Sequence, residues 1–281
     1  MRTEPNEPPS FDHLIHWVTD LDKAADAYRA IGLPVVDALT MPGFRNAAWP
    51  LDLIHYVELA TVTDWEAVTT SKYAEALEAL RPAIEALDGS SGGLTFAVHV
   101  PDASKMAEQL RAEGHEIAET QVYFEEYDLA FTEVFVCDGP TWWPFFISFD
   151  PPRDVLAKKR ADAQTEAEKP GTLEAGLPQS DTDLEGIVIT SADPETAADG
   201  VADLLGLPIE RADGAMWVPL PDLPLFFERG ETEGITTLLV SGIEIEHEVD
   251  LHGLRLRKTE RENPAPLNAN VAQAKGLSTR R

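Results

Sequence analysis

FDHLIHWVTDLDKAADAYRAIGLPVV, residues 11–36, reads as a short apolar strand, an acidic corner, a helix and a glycine stop. Asp20 sits where the strand ends. Its carboxylate suits the N-cap of a helix, because it can accept hydrogen bonds from the first free backbone N–H groups. Ala24, Ala25 and Tyr28 follow at helical spacing, and Gly32 supplies the left-handed residue that ends a helix. The same order recurs in GLTFAVHVPDASKMAEQLRAEGHEI (residues 93–117) and in LEGIVITSADPETAADGVADLLGLPIE (residues 184–210). The corner residues there are Asp102 and Asp193, and the stops are Gly114 and Gly206. The aspartate-to-glycine spacing is twelve, twelve and thirteen residues. Such self-similarity means one supersecondary unit used three times.

Strands follow each helix. They are FRNAAWPLD and IHYVELATV in the first unit, FTEVFVCD and WPFFISF in the second, and GAMWVPLPD and LPLFFERG in the third. Turn residues such as Asp138-Gly139-Pro140 and Asp213-Gly214 separate them. The expected architecture is α+β, made of repeated βαβββ modules. Residues 1–10 form an N-terminal extension and residues 11–150 two paired modules. Residues 65–87 interrupt the first pair as a helical insert broken by Pro82. Residues 151–183 read as a linker that opens with a polar helix. Residues 184–258 hold the third module and a partial fourth, in which ITTLLVSG is followed by alternating strands and no helix. Residues 259–281 form a basic tail without hydrophobic period, expected to be extended or disordered.

The chain carries 22 basic and 50 acidic residues, a net charge of −28. Such a surface repels nucleic acid and anionic membrane, so neither is an expected partner. No apolar run is long enough to span a bilayer. Met1 to Ser10 is acidic and proline-rich and lacks the basic and apolar regions of a signal peptide, and the expected location is cytoplasmic. One cysteine, Cys137, excludes an internal disulfide and a CxxC metal site. There is no Gly-rich phosphate loop, GxSxG elbow, HExxH or EF-hand pattern.

The module order, Asp12-His13 opening the first strand, Arg45-Asn46-Ala47 before Pro50-Leu51, Tyr56-Val57-Glu58-Leu59 and Pro144-Phe145-Phe146-Ile147 together resemble the vicinal-oxygen-chelate superfamily, in its glyoxalase-like domain branch. That group contains glyoxalases, extradiol dioxygenases and bleomycin-sequestering proteins. The resemblance is close over residues 11–150 and only module-like over 184–250. It implies sheets that curl around a shared cavity, but not one activity, since the superfamily holds both enzymes and binders.

Where family members hold a metal, the resemblance implies one ligand from the first and one from the last strand of each paired module. His13 and Glu58 take those positions in the first module, and Thr95 and Ser148 in the second. Gly186 and Glu228 would be their counterparts in the third. Two strong ligands beside two neutral hydroxyls make a depleted site, and divalent metal sites generally use three or four good donors. The expectation is no cofactor, or a weakly bound divalent metal. Strand alternation adds neighbours on the same face. His13, Ile15 and Trp17 point one way, as do Thr95, Ala97 and His99, then Tyr56 with Glu58, and Phe146 with Ser148. His16 points to the helices as a hydrogen-bonded core histidine. The expected ligand-binding set is therefore Arg45, Asn46, Tyr56, Trp17, His99, Thr95, Phe146 and Ser148, around His13 and Glu58.

The reading that follows is a protein that binds a small organic molecule in the cavity between modules. The alternative is a metal-dependent lyase, isomerase or dioxygenase, with His13 and Glu58 on the metal and Glu58 as the catalytic proton carrier. A third reading, an interaction protein, draws on the odd third module and the basic tail. The expected partners are a small-molecule ligand and, as a homodimer, a second copy of the chain.

Overall fold

The computed structural model describes residues 8–125, 127–166 and 182–259. The first module runs β1 (Ser10–Trp17), α1 (Leu21–Ala30), β2 (Val36–Met41), β3 (Phe44–Pro50) and β4 (Tyr56–Val62). The insert follows as α2 (Trp65–Val68) and α3 (Ala74–Ala86). The second module is β5 (Gly92–His99), α4 (Ala103–Glu113), β6 (Ile117–Phe124), β7 (Leu129–Val136) and β8 (Phe145–Asp150). After α5 (Arg153–Glu166) come β9 (Asp183–Ser191), α6 (Pro194–Leu205), β10 (Glu210–Ala212), β11 (Ala215–Val218) and β12 (Leu225–Arg229). The partial fourth unit has strands alone: β13 (Gly234–Ser241), β14 (Glu248–Leu251) and β15 (Leu254–Lys258).

The repeat works as the residues suggest. Asp20, Asp102 and Asp193 each accept a hydrogen bond from the backbone N–H three residues on. Gly114 and Gly206 end their helices in the left-handed conformation. The modules join through their first strands. β1 pairs antiparallel with β5, while each first strand runs parallel to its own module's last strand, β4 or β8. The result is an eight-stranded mixed sheet in the order β2-β3-β4-β1-β5-β8-β7-β6. The second half repeats the scheme in a seven-stranded sheet, β10-β11-β12-β9-β13-β15-β14. No helix of the described residues is long and apolar enough to cross a membrane.

Alternation along β1 divides two cores. Leu14 joins a cluster with Tyr28, Trp49, Phe96 and Phe146 that continues into Ile187, Leu225 and Leu238 of the second sheet. Ile15 and Trp17 belong to the other cluster, where Leu77, Leu80 and Ala83 of α3 cover part of the curled face. Helix α3 passes through Pro82 without stopping, and the break in the insert falls before it, between α2 and α3. Burial of Leu77, Leu80 and Ala83 against the sheet holds the helix across the proline. Residues 260–281 of the expected tail and 167–181 of the expected linker lie outside the described residues.

The two sheets meet closely at Gly93. A Cβ there would fall 2.7 Å from both the side chain and the carbonyl oxygen of Ile235. Overpacking of this kind cannot be relieved by a rotamer change, because one neighbour is backbone. Gly93→Ala is expected to lower the unfolding free energy by about 1–3 kcal/mol. A urea titration with an unchanged m-value and a lower midpoint is the result that checks it.

Candidate functional site

The insert fills one end of the curled face of the first sheet, and the other end stays open as a cavity of about 270 Å³. Its walls are apolar and aromatic: Leu39, Met41, Phe44, Phe124, Tyr127, Leu129, Phe131, Ile147, Phe149 and Leu156. Its polar groups are His13, Asn46, Tyr56, Glu58, Tyr73 and Glu133, with Lys159 and Arg160 of α5 beside them.

His13 is the best-supported of the polar groups. Its Nδ1 lies 2.8 Å from Asp12 Oδ1 and donates to it, since an ionised carboxylate only accepts. Its ring stacks on Tyr56 at 4.6 Å. Nε2 therefore faces Glu58, at 3.6 Å from Oε2, too long for a hydrogen bond but close enough for electrostatic coupling. Burial alone would depress the imidazole. The hydrogen bond to Asp12, and the charges of Asp12, Glu58 and Glu133, outweigh it and raise the His13 pKa above its ordinary value. Asp12 is almost wholly buried. Burial pushes its carboxyl up, but His13 and Arg153 more than reverse this and hold it low. Arg153 Nη1 lies 3.4 Å from Asp12 Oδ2 and donates at 3.0 Å to the Phe11 carbonyl.

Asn46 is oriented by backbone. The β2–β3 ladder is irregular between Asp37 and Thr40. The Leu39 N–H within that stretch donates to Asn46 Oδ1 at 2.6 Å. The amide nitrogen must then face the other way, and it donates to Glu58 Oε1 at 2.5 Å. One sheet irregularity thus fixes the Glu58 carboxyl beside His13.

Glu133, on β7, is a site residue that the sequence reading missed. It is 2% exposed, yet it lines the cavity. Tyr73 Oη donates to its Oε1 at 2.9 Å, and its Oε2 is buried without a partner. Burial is the main cause that pushes its pKa to about 8, against smaller opposing effects of Tyr73 and His13. At neutral pH it is largely a neutral acid whose O–H can be donated. The signal in the sequence was its alternation: Phe131 and Glu133 share a face of β7, both toward the cavity. Strand periodicity puts a carboxyl there but does not tell which face is enclosed.

Several sequence expectations are corrected. Arg45 is exposed toward solvent and pairs with Asp22 at 2.9 Å, away from the cavity. Along β8 the cavity side is Phe145, Ile147 and Phe149. Phe146 belongs to the helix-side core, and Ser148 Oγ accepts from the Ala103 N–H at the start of α4. That face was misassigned by one residue, and a slip of one reverses a strand. Thr95 shares the curled face but donates to the Trp143 carbonyl at 2.6 Å. Trp17 packs in the cluster covered by α3. His99 stacks on Phe149, one layer behind the cavity wall. His16, by contrast, lies on the helix side as its place in the alternation implies, where Nδ1 accepts from Tyr28 Oη and Nε2 donates to the His252 carbonyl.

The donor set does not fit the metal that the resemblance implies. The second-module positions are occupied by Thr95 and Ser148, both already engaged with backbone. His13 Nδ1 is committed to Asp12. Among the described residues, no three His, Cys, Asp or Glu side chains are grouped to hold a metal ion. In the second sheet, Gly186 packs against Phe226 and Glu228 pairs with Arg257.

A family model described as glyoxalase-like domain matches residues 11–205, more than two thirds of the chain. No curated protein shows a significant match. Among solved structures, the chain is similar to a hypothetical protein from Staphylococcus aureus, with 15% identity, a TM-score of 0.68, and coverage of 90% of this chain and 99% of that one. That likeness shows the fold. A methylmalonyl-CoA epimerase from Mycobacterium tuberculosis aligns at 21% identity and TM-score 0.36, over 52% of this chain and 91% of the other. A variant of 4-hydroxymandelate synthase from Streptomyces coelicolor aligns at 10% identity and TM-score 0.48, over 84% and 71%. Scores this low give those two activities no weight here.

Proposed function

The chain belongs to the glyoxalase-like domain family, and we propose that the cavity of its first sheet binds a small, largely apolar organic molecule by one polar end. The observation that carries this reading is the asymmetry of the cavity. Aromatic and aliphatic side chains wall it, while His13, Asn46, Glu58 and Glu133 converge at one place. Ligand sites generally combine such walls with a few fixed polar groups. The polar end is already oriented: Asp12 and Tyr56 hold His13, Asn46 holds Glu58, and Tyr73 holds Glu133. Preorganisation of this kind removes an ordering cost from binding.

Leu39, half-buried on the wall, is a suitable place to block the space. In ligand-observed NMR with a library of small aromatic and aliphatic compounds, the wild type is expected to bind a subset. Leu39→Trp is expected to abolish that binding while keeping the fold, as judged by circular dichroism. Equal binding by both proteins would reject this cavity as the site.

The alternative, metal-dependent chemistry through His13 and Glu58, has weaker support because no three His, Cys, Asp or Glu side chains among the described residues are grouped to hold a metal ion. Two protein ligands leave most of the coordination sphere to water, so affinity is expected to be low. After dialysis against a weak chelator, elemental analysis is expected to find no stoichiometric zinc, nickel, iron or manganese. Near-stoichiometric metal that is lost in His13→Ala and Glu58→Ala would overturn this and restore the enzymatic alternative.

A further inference from the structure

We infer that the molecule this cavity takes is an aromatic carboxylate, seated with its apolar body against the aromatic wall and its anionic group at Lys159 and Arg160. This rests on the cavity reading above and names the ligand class for it. Leu156, Lys159 and Arg160 fall at i, i+3 and i+4 of α5, so they share one face, and all three line the cavity. Leu156 continues the apolar wall, and the two cations follow it along the helix.

Lys159 is exposed and Arg160 half-buried, and neither is balanced as their neighbour is. Lys158, next in sequence, is paired with Asp162 at 2.6 Å. Neither Lys159 nor Arg160 is in an ion pair with a carboxylate among the described residues. Arg160 Nη1 donates to the Leu53 carbonyl at 2.8 Å, which steadies the guanidinium and leaves its other N–H groups for a ligand. The guanidinium also acts on the Tyr56 hydroxyl within the cavity. In a chain with a net charge of −28, two cations without carboxylate partners at one cavity are a local reversal of sign.

The cluster around His13 disfavours seating the anion directly on the imidazole. Glu58 and Glu133 flank His13, and the imidazole is already matched by Asp12. A ligand carboxylate placed there would meet the Glu58 carboxyl, which Asn46 already holds. Glu133 Oε2, buried and unpartnered, calls instead for a neutral acceptor such as a carbonyl or ether oxygen on the inner end of the ligand. Seven of the lining residues are Phe or Tyr, namely Phe44, Tyr56, Tyr73, Phe124, Tyr127, Phe131 and Phe149, which favours a flat body over a branched one.

The test compares three probes of one skeleton on the full-length protein by calorimetry: 3-phenylpropanoate, its methyl ester and 3-phenylpropylamine. The carboxylate is expected to bind about tenfold more tightly than either of the others, roughly the effect of one favourable charge contact. In the double variant Lys159→Gln, Arg160→Gln, the three are expected to bind within about threefold of one another. The circular dichroism of that variant should match the wild type, which shows that the fold is intact. If ester and carboxylate bind the wild type equally, or the amine binds best, the anion inference falls and the cavity reading stands. If the carboxylate preference survives the double variant, the cations assigned here are not its cause and the inference falls. If no probe binds the wild type, both readings fall together.

Discussion

Glu133→Gln is expected to stabilise the protein at pH 9, on the order of 4 kcal/mol, and to change it by less than about 1 kcal/mol at pH 5. Glutamine is the closest mimic of the neutral acid. Its side-chain oxygen can still accept from Tyr73, and it does not titrate. The Glu133 carboxyl has an ordinary value of 4.5 and is pushed to about 8 in the folded protein, mainly by burial. The groups that face it are Tyr73, His13, Glu58 and Asp12. Below pH 4.5 the folded and unfolded chains both hold the proton, and the group contributes no pH dependence. Between 4.5 and about 8 the folded chain holds a proton that the unfolded chain has lost. Each pH unit of rise through that window then costs the wild type about 1.4 kcal/mol. Above about 8 both states are ionised and the penalty is constant. Self-repulsion of the acidic surface also grows with pH, but it is nearly common to both proteins and cancels in the difference. Urea unfolding at pH 5, 7 and 9 measures it. A Gln-minus-Glu difference that stays constant across that range would show that Glu133 is not held neutral.

The fold was legible because it rests on local chemistry repeated along the chain. Asp20, Asp102 and Asp193 cap helices in the structure as their type and spacing imply, and the following glycines stop them. Even the incomplete fourth unit was visible, since ITTLLVSG is followed by alternating residues and no helical period. The site was legible only in part. His13, Tyr56 and Glu58 were placed on the right face because β1 and β4 are central strands whose alternation holds over these residues, whereas Asn46, on β3, was named only for its polarity, together with its neighbour Arg45. Ser148 was misassigned because PFFISF is apolar on both faces, and nothing in such a run marks which face is enclosed. Arg45 was overvalued for its charge, and its partner Asp22 lies on α1, a tertiary contact with no local signature. Thr95 and Trp17 were on the correct face. What the sequence concealed was that α3 covers that end of it. The same is true of α5. Its polar composition read as a connector, whereas the i, i+3, i+4 set of Leu156, Lys159 and Arg160 lines the cavity.

Arg153, also on α5, is expected to be the most costly single cation to remove. Arg153→Met should lower the unfolding free energy by about 2–4 kcal/mol, because it leaves the buried Asp12 carboxylate with one partner instead of two. Arg153 serves several acceptors at once. Nη1 donates to the Phe11 carbonyl and faces Asp12, and Nη2 donates to Ser10 Oγ at 2.9 Å. Nη2 also lies 3.9 Å from Asp222 Oδ2, on the turn between β11 and β12. That turn packs on β1, where the Phe11 N–H donates to the Pro221 carbonyl. A charged chain thus runs from the third module through Arg153 and Asp12 to His13, and the second half of the protein helps fix the histidine of the first. The two ends of this chain should differ in weight. Asp222 is 36% exposed and its contact is long, so Asp222→Asn is expected to cost under about 1 kcal/mol. Asp12 is buried, so Asp12→Asn combined with Arg153→Met should cost less than the sum of the two single changes, by about 1–2 kcal/mol. Removing the carboxylate removes the reason that losing the guanidinium is expensive. A double-mutant cycle by urea unfolding at pH 7 decides the matter. Strict additivity would mean that Arg153 acts only through its bonds to Ser10 and the Phe11 carbonyl, and that the charge behind His13 does not extend to α5.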